Sequence, residues 1–241
     1  VNQHTVAIAA SQVNERRPVR GVHCRKEKEC EYEYRDERGK LIFTVARYKW
    51  RHAYNCDGTG ECRREKTFSY YYISPSGKKV DKKPPYANSL LYRMEEVGPA
   101  LVRGAGPVWW AEGEKDCDAM REGGGVATSH HGGAGKVTLA QAQCLYHPSR
   151  SYNAAWIILV ADRDDAGAFD AILRNNLLVE AGFKGRLDIV RAAVGKDAWD
   201  HLAAGYGLDE FVPVDRNRMC EAAGRYQENL KENTDNYMNG G

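Results

Sequence analysis

The chain of 241 residues lacks any apolar run long enough to cross a bilayer, which excludes a helical membrane protein. Its N-terminus lacks the charged-then-apolar order of a secretory signal, so a cytoplasmic protein is expected. It also lacks internal repeats and low-complexity tracts, excluding solenoids and disordered linkers. Cysteine is present but odd in number, at seven, which argues against a disulfide framework. Four of these, Cys24, Cys30, Cys56 and Cys62, form two C-x5-C pairs with His23 and His52 nearby. Structural zinc sites hold their pairs two to four residues apart, so this wider spacing is a weak zinc signature. Cys117, Cys144 and Cys220 read as small buried residues.

What the chain does have is a division of charge. Residues 1–94 carry 20 Lys and Arg against 11 Asp and Glu, while the remainder carries 15 against 22. A basic half joined to an acidic half suggests that the first grips a polyanion and the second holds metal; a solvated basic surface is the plainer alternative. Residues 1–20 read as a polar arm. Residues 21–97 read as a basic, β-rich subdomain, because Tyr32 and Tyr34, then Leu41, Phe43 and Val45, then Phe68, Tyr70 and Tyr72 recur at strand period. Arg38-Gly39 and Ser74-Pro75-Ser76-Gly77 supply turns, and Lys78 to Pro85 reads as a basic connection.

Residues 98–214 change rhythm. Strands at Val108–Ala111, Val126–Ser129, Trp156–Ala161 and Leu187–Val190 alternate with helices at Lys115–Glu122, Leu139–Leu145, Ala166–Ala181 and Ala198–Ala204. That alternation predicts an α/β fold with a parallel, doubly wound sheet, preceded by the small antiparallel subdomain. Residues 215–241 read as a polar, helical tail.

Two of these strands end in acid. Val108 to Ala111 runs into Glu112-Gly113-Glu114-Lys115-Asp116, and Trp156 to Ala161 runs into Asp162-Arg163-Asp164-Asp165-Ala166-Gly167. Carboxyl ends of neighbouring parallel strands share one edge, where ligands bind, so Glu112, Asp162 and Asp164 are expected in one small volume. Crowded carboxylates cannot all stay ionised without a cation, and hard oxygen donors suit Mg²⁺ or Mn²⁺. Acidic helix caps are the alternative, and they account for Asp165 better than for Asp162 or Glu112. Asp197 fits either a fourth carboxylate of the cluster or a helix cap.

The loop Thr128–Lys136 ends in Gly135-Lys136 but is no Walker motif, having His130 where glycine is needed and Val137 where Ser or Thr is needed. It can still present backbone N–H groups to phosphate, with Lys136 adding charge. Its His130 and His131 read as polar surface rather than metal ligands.

Together these segments resemble the TOPRIM domain of bacterial-type primases, topoisomerases and some nucleases, and more closely the primase and primase-helicase proteins of phages and mobile elements. The resemblance rests on Glu112–Asp116, Asp162-x-Asp164, Ala127–Lys136 and Gly195–Asp200, with Tyr32–Asp36, Arg47-Tyr48 and Leu91–Arg93 upstream. It implies a Mg²⁺-dependent nucleotidyltransferase making primers on single-stranded DNA in replication. Glu112, Asp162 and Asp164 would be catalytic and metal-binding, joined at the metal by Asp197. Lys115, Lys136 and Lys196 would contact nucleoside triphosphates, while Arg35, Arg47, Lys49, Lys66 and Arg93 would hold template. A metal-dependent nuclease and a non-catalytic nucleic-acid-binding replication subunit are the alternatives. Neither the family's zinc ribbon nor a helicase motor is recognisable, so a separate helicase or zinc-binding template-recognition protein is an expected partner.

Overall fold

The computed structural model describes residues 24–53, 56, 66–104, 106–146 and 156–239; the expected arm and Cys62 lie outside them. β1 (Arg25–Arg35), β2 (Leu41–Arg51), β3 (Lys66–Ile73) and β4 (Lys79–Val80) form one sheet in that order. Gly39, at φ +79°, and Gly77, at φ +80°, turn the chain where a Cβ would be strained. The strand-period residues Tyr32, Tyr34, Phe43 and Val45 are buried, as alternation requires. β4 was not expected: the connection after Gly77 pairs antiparallel with β3, Tyr72 opposite Val80.

One compact unit takes residues 30–47 and 68–241. Described residues 24–29, 48–53, 56 and 66–67 belong to a second.

Within the larger unit lies a five-stranded sheet ordered β6-β5-β7-β8-β9. Its members are β5 (Pro107–Ala111), β6 (Val126–Ser129), β7 (Trp156–Ala161), β8 (Arg186–Arg191) and the antiparallel edge β9 (Val212–Pro213). Helix α1 (Met94–Arg103) precedes β5; α2 (Glu114–Glu122), α3 (Leu139–Leu145) and α4 (Asp165–Glu180) connect the parallel strands; α5 (Ala198–Ala203) lies between β8 and β9, and α6 (Arg216–Asn239) follows. The fold is therefore α/β with a mostly parallel sheet plus an antiparallel one.

Both faces of the parallel sheet are covered, which is why β5 and β7 read as unbroken apolar runs. Val108, Trp110, Ile157 and Leu159 face α1, α3 and α4. Trp109, Ala111, Ile158 and Val160 face Tyr32, Tyr34, Phe43, Cys117 and Met120. The tail is more than a polar helix: Met219 of α6 packs on Ala168 and Ala171 of α4, and the Tyr226 and Phe169 rings lie 5.3 Å apart. Cys117 is buried and Cys144 half-buried as small residues, but Cys220 is exposed. Among the described residues, no helix is long and apolar enough to cross a membrane.

Candidate active site

The parallel register sets the site. β5 and β7 pair Trp110 with Leu159, so the continuing chains deliver Glu112 and Asp162 side by side at the carboxyl edge. β8 pairs Arg191 with Ala161 and delivers the loop bearing Lys196 and Asp197 to the same edge. Arg163 ties these loops together, its N–H donating to the Lys196 carbonyl at 2.8 Å and its guanidinium to Ala193 O at 3.1 Å.

The electrostatics record the crowding. Burial, then Glu112, Asp116, Asp197 and Asp164 in turn, push the Asp162 carboxyl from 3.8 up to about 8. Burial and then Asp170 raise Glu112, offset in part by Arg174 and His130. Burial and Asp197 bring Asp116 up to about 6. Asp116 was not singled out from the sequence; it sits in the first turn of α2, close enough for its charge to act on Asp162 and for Glu112 to act on it. Its Oδ1 accepts from Trp199 N at 2.9 Å, joining α2 to α5.

Asp164, rather than Asp165, caps α4, its Oδ1 accepting from Gly167 N at 2.7 Å. Asp164 Oδ2 meets Lys196 Nζ at 3.0 Å, and this contact raises the Lys196 pKa. Asp165 turns away to a two-pronged pair with Arg225 on α6. Asp197 plays both roles open to it: it caps α5 through Asp200 N at 2.8 Å and contributes charge at Asp162. Lys115 lies over the Trp199 ring, 3.4 Å from its centroid, and Lys136 is exposed.

Behind the carboxylates sits a buried network that sequence reading missed. Arg174 of α4, wholly buried, donates from Nη1 to Trp110 O and from Nη2 to Val160 O at 2.9 Å, bridging the carboxyl ends of β5 and β7. Its Nε lies 2.8 Å from Asp170 Oδ2 as an ion pair off the line of a hydrogen bond. Asp170 Oδ1 accepts from Gly135 N at 2.8 Å and lies 3.3 Å from His130 Nε2. The glycine loop is thus anchored inward on α4, and both histidines are buried, not surface as expected. His131 bonds Ala87 O at 3.0 Å among Tyr34, Phe43 and Tyr70, and burial lowers its pKa to about 4.

Of the basic residues expected on template, Arg93 is committed internally. It donates to Asp118 Oδ1 at 2.9 and 2.7 Å and to Glu96 at 3.0 Å. Arg35 donates to Gly39 O at 2.9 Å and pairs with Glu33, and Lys49 pairs with Glu29. Arg47 is half-buried on β2, and Lys66 is exposed at the start of β3.

Divalent metal fits the donor set. The acids are hard oxygen ligands, Glu112 Oε2 is buried without a hydrogen-bond partner, and the shift at Asp162 is the mark of carboxylates wanting a cation.

Two expectations follow. In metal-free protein, Asp162 binds its proton more tightly folded than unfolded between about pH 4 and pH 8. Stability is therefore greatest at the acid end of that window and falls as pH rises through it, by on the order of a few kcal/mol. Thermal melts from pH 5 to 8 in EDTA should show this fall, Asp162→Asn should flatten it, and millimolar Mg²⁺ or Mn²⁺ should oppose it. Gly167→Ala, in turn, puts a Cβ 2.5 Å from Asp162 Cβ and 2.7 Å from its carbonyl. That overlap must displace Asp162, so the variant should lose metal-dependent stabilisation even where it folds, as melts with and without Mn²⁺ would show.

No family model matches the chain, and no curated protein matches it. Among solved structures it is similar to a DnaG primase catalytic domain bound to ssDNA and to the DnaG catalytic core, each at TM-score 0.50 and 18% identity over 76% of this chain and 53% of theirs. The chain thus spans about half the length of those structures. At this identity the likeness is one of fold, and the chain has the fold of a DnaG-type primase catalytic core.

Proposed function

We propose that the chain is a primase-type nucleotidyltransferase core, with a TOPRIM-like acidic site, that joins nucleotides on a single-stranded DNA template. The observation that carries this reading is the convergence of Glu112, Asp162 and Asp164 at one sheet edge, with Asp162 pushed to about 8 by burial and by its acidic neighbours. Asp162 and Asp164, with Glu112 and Asp197 beside them, would hold Mg²⁺. Bound there, the metal supplies charge neutralisation for an in-line displacement at phosphorus.

The chain's own groups do the rest. Glu112, its proton affinity raised by burial, is suited to accept the proton of an attacking 3′-hydroxyl. Lys196, which pairs with Asp164 at this edge, would offer its ammonium to a triphosphate, as would the exposed Lys136. Lys115 contributes through Trp199, fixing α5 and with it Asp197. Template contacts are assigned to Arg35, Arg47, Lys49 and Lys66 on β1 to β3, where phosphate pairing would displace the weak surface ion pairs. Arg93 supports them indirectly by holding α1 against α2.

The test is template-dependent incorporation of labelled nucleoside triphosphates on single-stranded DNA with Mg²⁺ or Mn²⁺. Products that require both template and metal support the reading. Metal-dependent strand cutting without incorporation would replace it with a nuclease. Template binding and a role in replication that survive loss of the carboxylates would replace it with a non-catalytic subunit.

A further inference from the structure

We propose that Cys24, His52 and Cys56 form a zinc site, separate from the acidic centre, that staples the ends of β1 and β2. Cys24 immediately precedes β1, His52 immediately follows β2, and Cys56 comes four residues later. One donor atom from each of the three lies within 4.8 Å of the others, the only such set of three His, Cys, Asp or Glu donors among the described residues. His52 Nδ1 is 3.4 Å from Cys56 Sγ. Nitrogen and sulfur ligands on one tetrahedral zinc stand roughly 3.6 Å apart, given bonds of about 2.0 and 2.3 Å. The pair therefore already has the separation that coordination needs.

The sulfur chemistry agrees. Ala53 N–H donates to Cys24 Sγ at 3.3 Å, and a backbone donor aimed at sulfur stabilises the thiolate that zinc requires. Two thiolates and a neutral imidazole suit zinc better than Mg²⁺, which prefers oxygen. Binding releases one proton from each cysteine, leaving a site of zero net charge before a fourth donor completes the tetrahedron.

The need for a staple is visible in the same unit. None of its described residues, 24–29, 48–53, 56 and 66–67, is buried. Its contacts include exposed ion pairs, Lys49 with Glu29 and Arg51 with Glu27, and Lys26 stacked over Tyr48 at 4.3 Å. Pairs of that kind contribute about 0–1 kcal/mol each. Where the described residues supply no core, a structural metal can supply folding energy. Cys30 is not in the set; it belongs to the larger unit and packs on its core. The Cys24-x5-Cys30 spacing therefore does not describe a ligand pair of this site. The informative spacing is His52-x3-Cys56, completed by Cys24 just before β1.

The experiment is metal content of the purified full chain by mass spectrometry, with Cys24→Ser, His52→Ala, Cys56→Ser and Cys30→Ser. The expected result is about one zinc per chain, at least a tenfold loss in the first three, and retention in Cys30→Ser. Substituted cobalt should give a thiolate charge-transfer band that vanishes in Cys24→Ser and Cys56→Ser. Zinc-free wild type that is folded, protease-resistant over residues 24–67 and unable to take up cobalt would overturn the proposal. So would full zinc in both serine variants. None of these readouts involves primer synthesis, so the site stands or falls apart from the function proposed above.

Discussion

Asp162→Asn should eliminate template-dependent incorporation, by at least about a hundredfold, while the protein becomes no less stable. The two halves of this expectation come from one cause. Burial first, then Glu112, Asp116, Asp197 and Asp164, push the Asp162 carboxyl up to about 8, so the folded state disfavours its ionised form. A neutral amide removes that repulsion and keeps the shape. At pH 8 without metal, Asp162→Asn should melt at or above the wild-type temperature; with Mn²⁺, only wild type should gain. Glu112→Gln should also lose incorporation, because Oε2 is the buried acceptor left without a partner and an amide nitrogen there cannot take a proton. Asp165→Asn is the control: its carboxylate is exposed and paired with Arg225, so activity should remain within a few-fold of wild type. Activity that survives both Asp162→Asn and Glu112→Gln would show that the chemistry lies elsewhere in the chain.

Much of this site was legible because parallel-sheet geometry is encoded locally. The strand at Trp156–Ala161 and the helix at Leu139–Leu145 stand where periodicity put them, and the acids stand at strand ends. Strand ends in a parallel sheet share an edge, so convergence followed without knowing the strand order. What sequence could not show was the depth of a residue on a helix packed from several sides. Asp170 and Arg174 have the i,i+4 spacing of a solvated surface pair, yet both are wholly buried, because α4 lies between the sheet and α6. The histidines failed for the same reason: a glycine-rich loop reads as surface, and here Asp170 pulls it inward through Gly135. The exchange between Asp164 and Asp165 is of another kind. Which of two adjacent acids caps a helix depends on the backbone dihedrals at the boundary, which composition does not encode.

The largest effect on stability is expected at Arg174. Arg174→Met should destabilise by about 3–5 kcal/mol in urea unfolding, since it strands the Asp170 carboxylate in the interior. That carboxylate is held at about 2 mainly by Arg174, with His130 and Gly135 N–H behind it. The carbonyls of Trp110 and Val160 lose their donors in the same step, adding to the cost. Stability should return in part when the stranded charge is also removed, in Arg174→Met with Asp170→Asn. Function should not return with it. Arg174 bridges the carboxyl ends of β5 and β7, and those ends aim Glu112 and Asp162, so the double variant should fold yet bind Mn²⁺ more weakly, as a smaller metal-dependent rise in melting temperature would show. A double variant with wild-type stability and an undiminished Mn²⁺ response would reduce the network to packing. The expected split, stability recovered and metal response lost, would make Arg174 a positioning residue that acts through the strand ends.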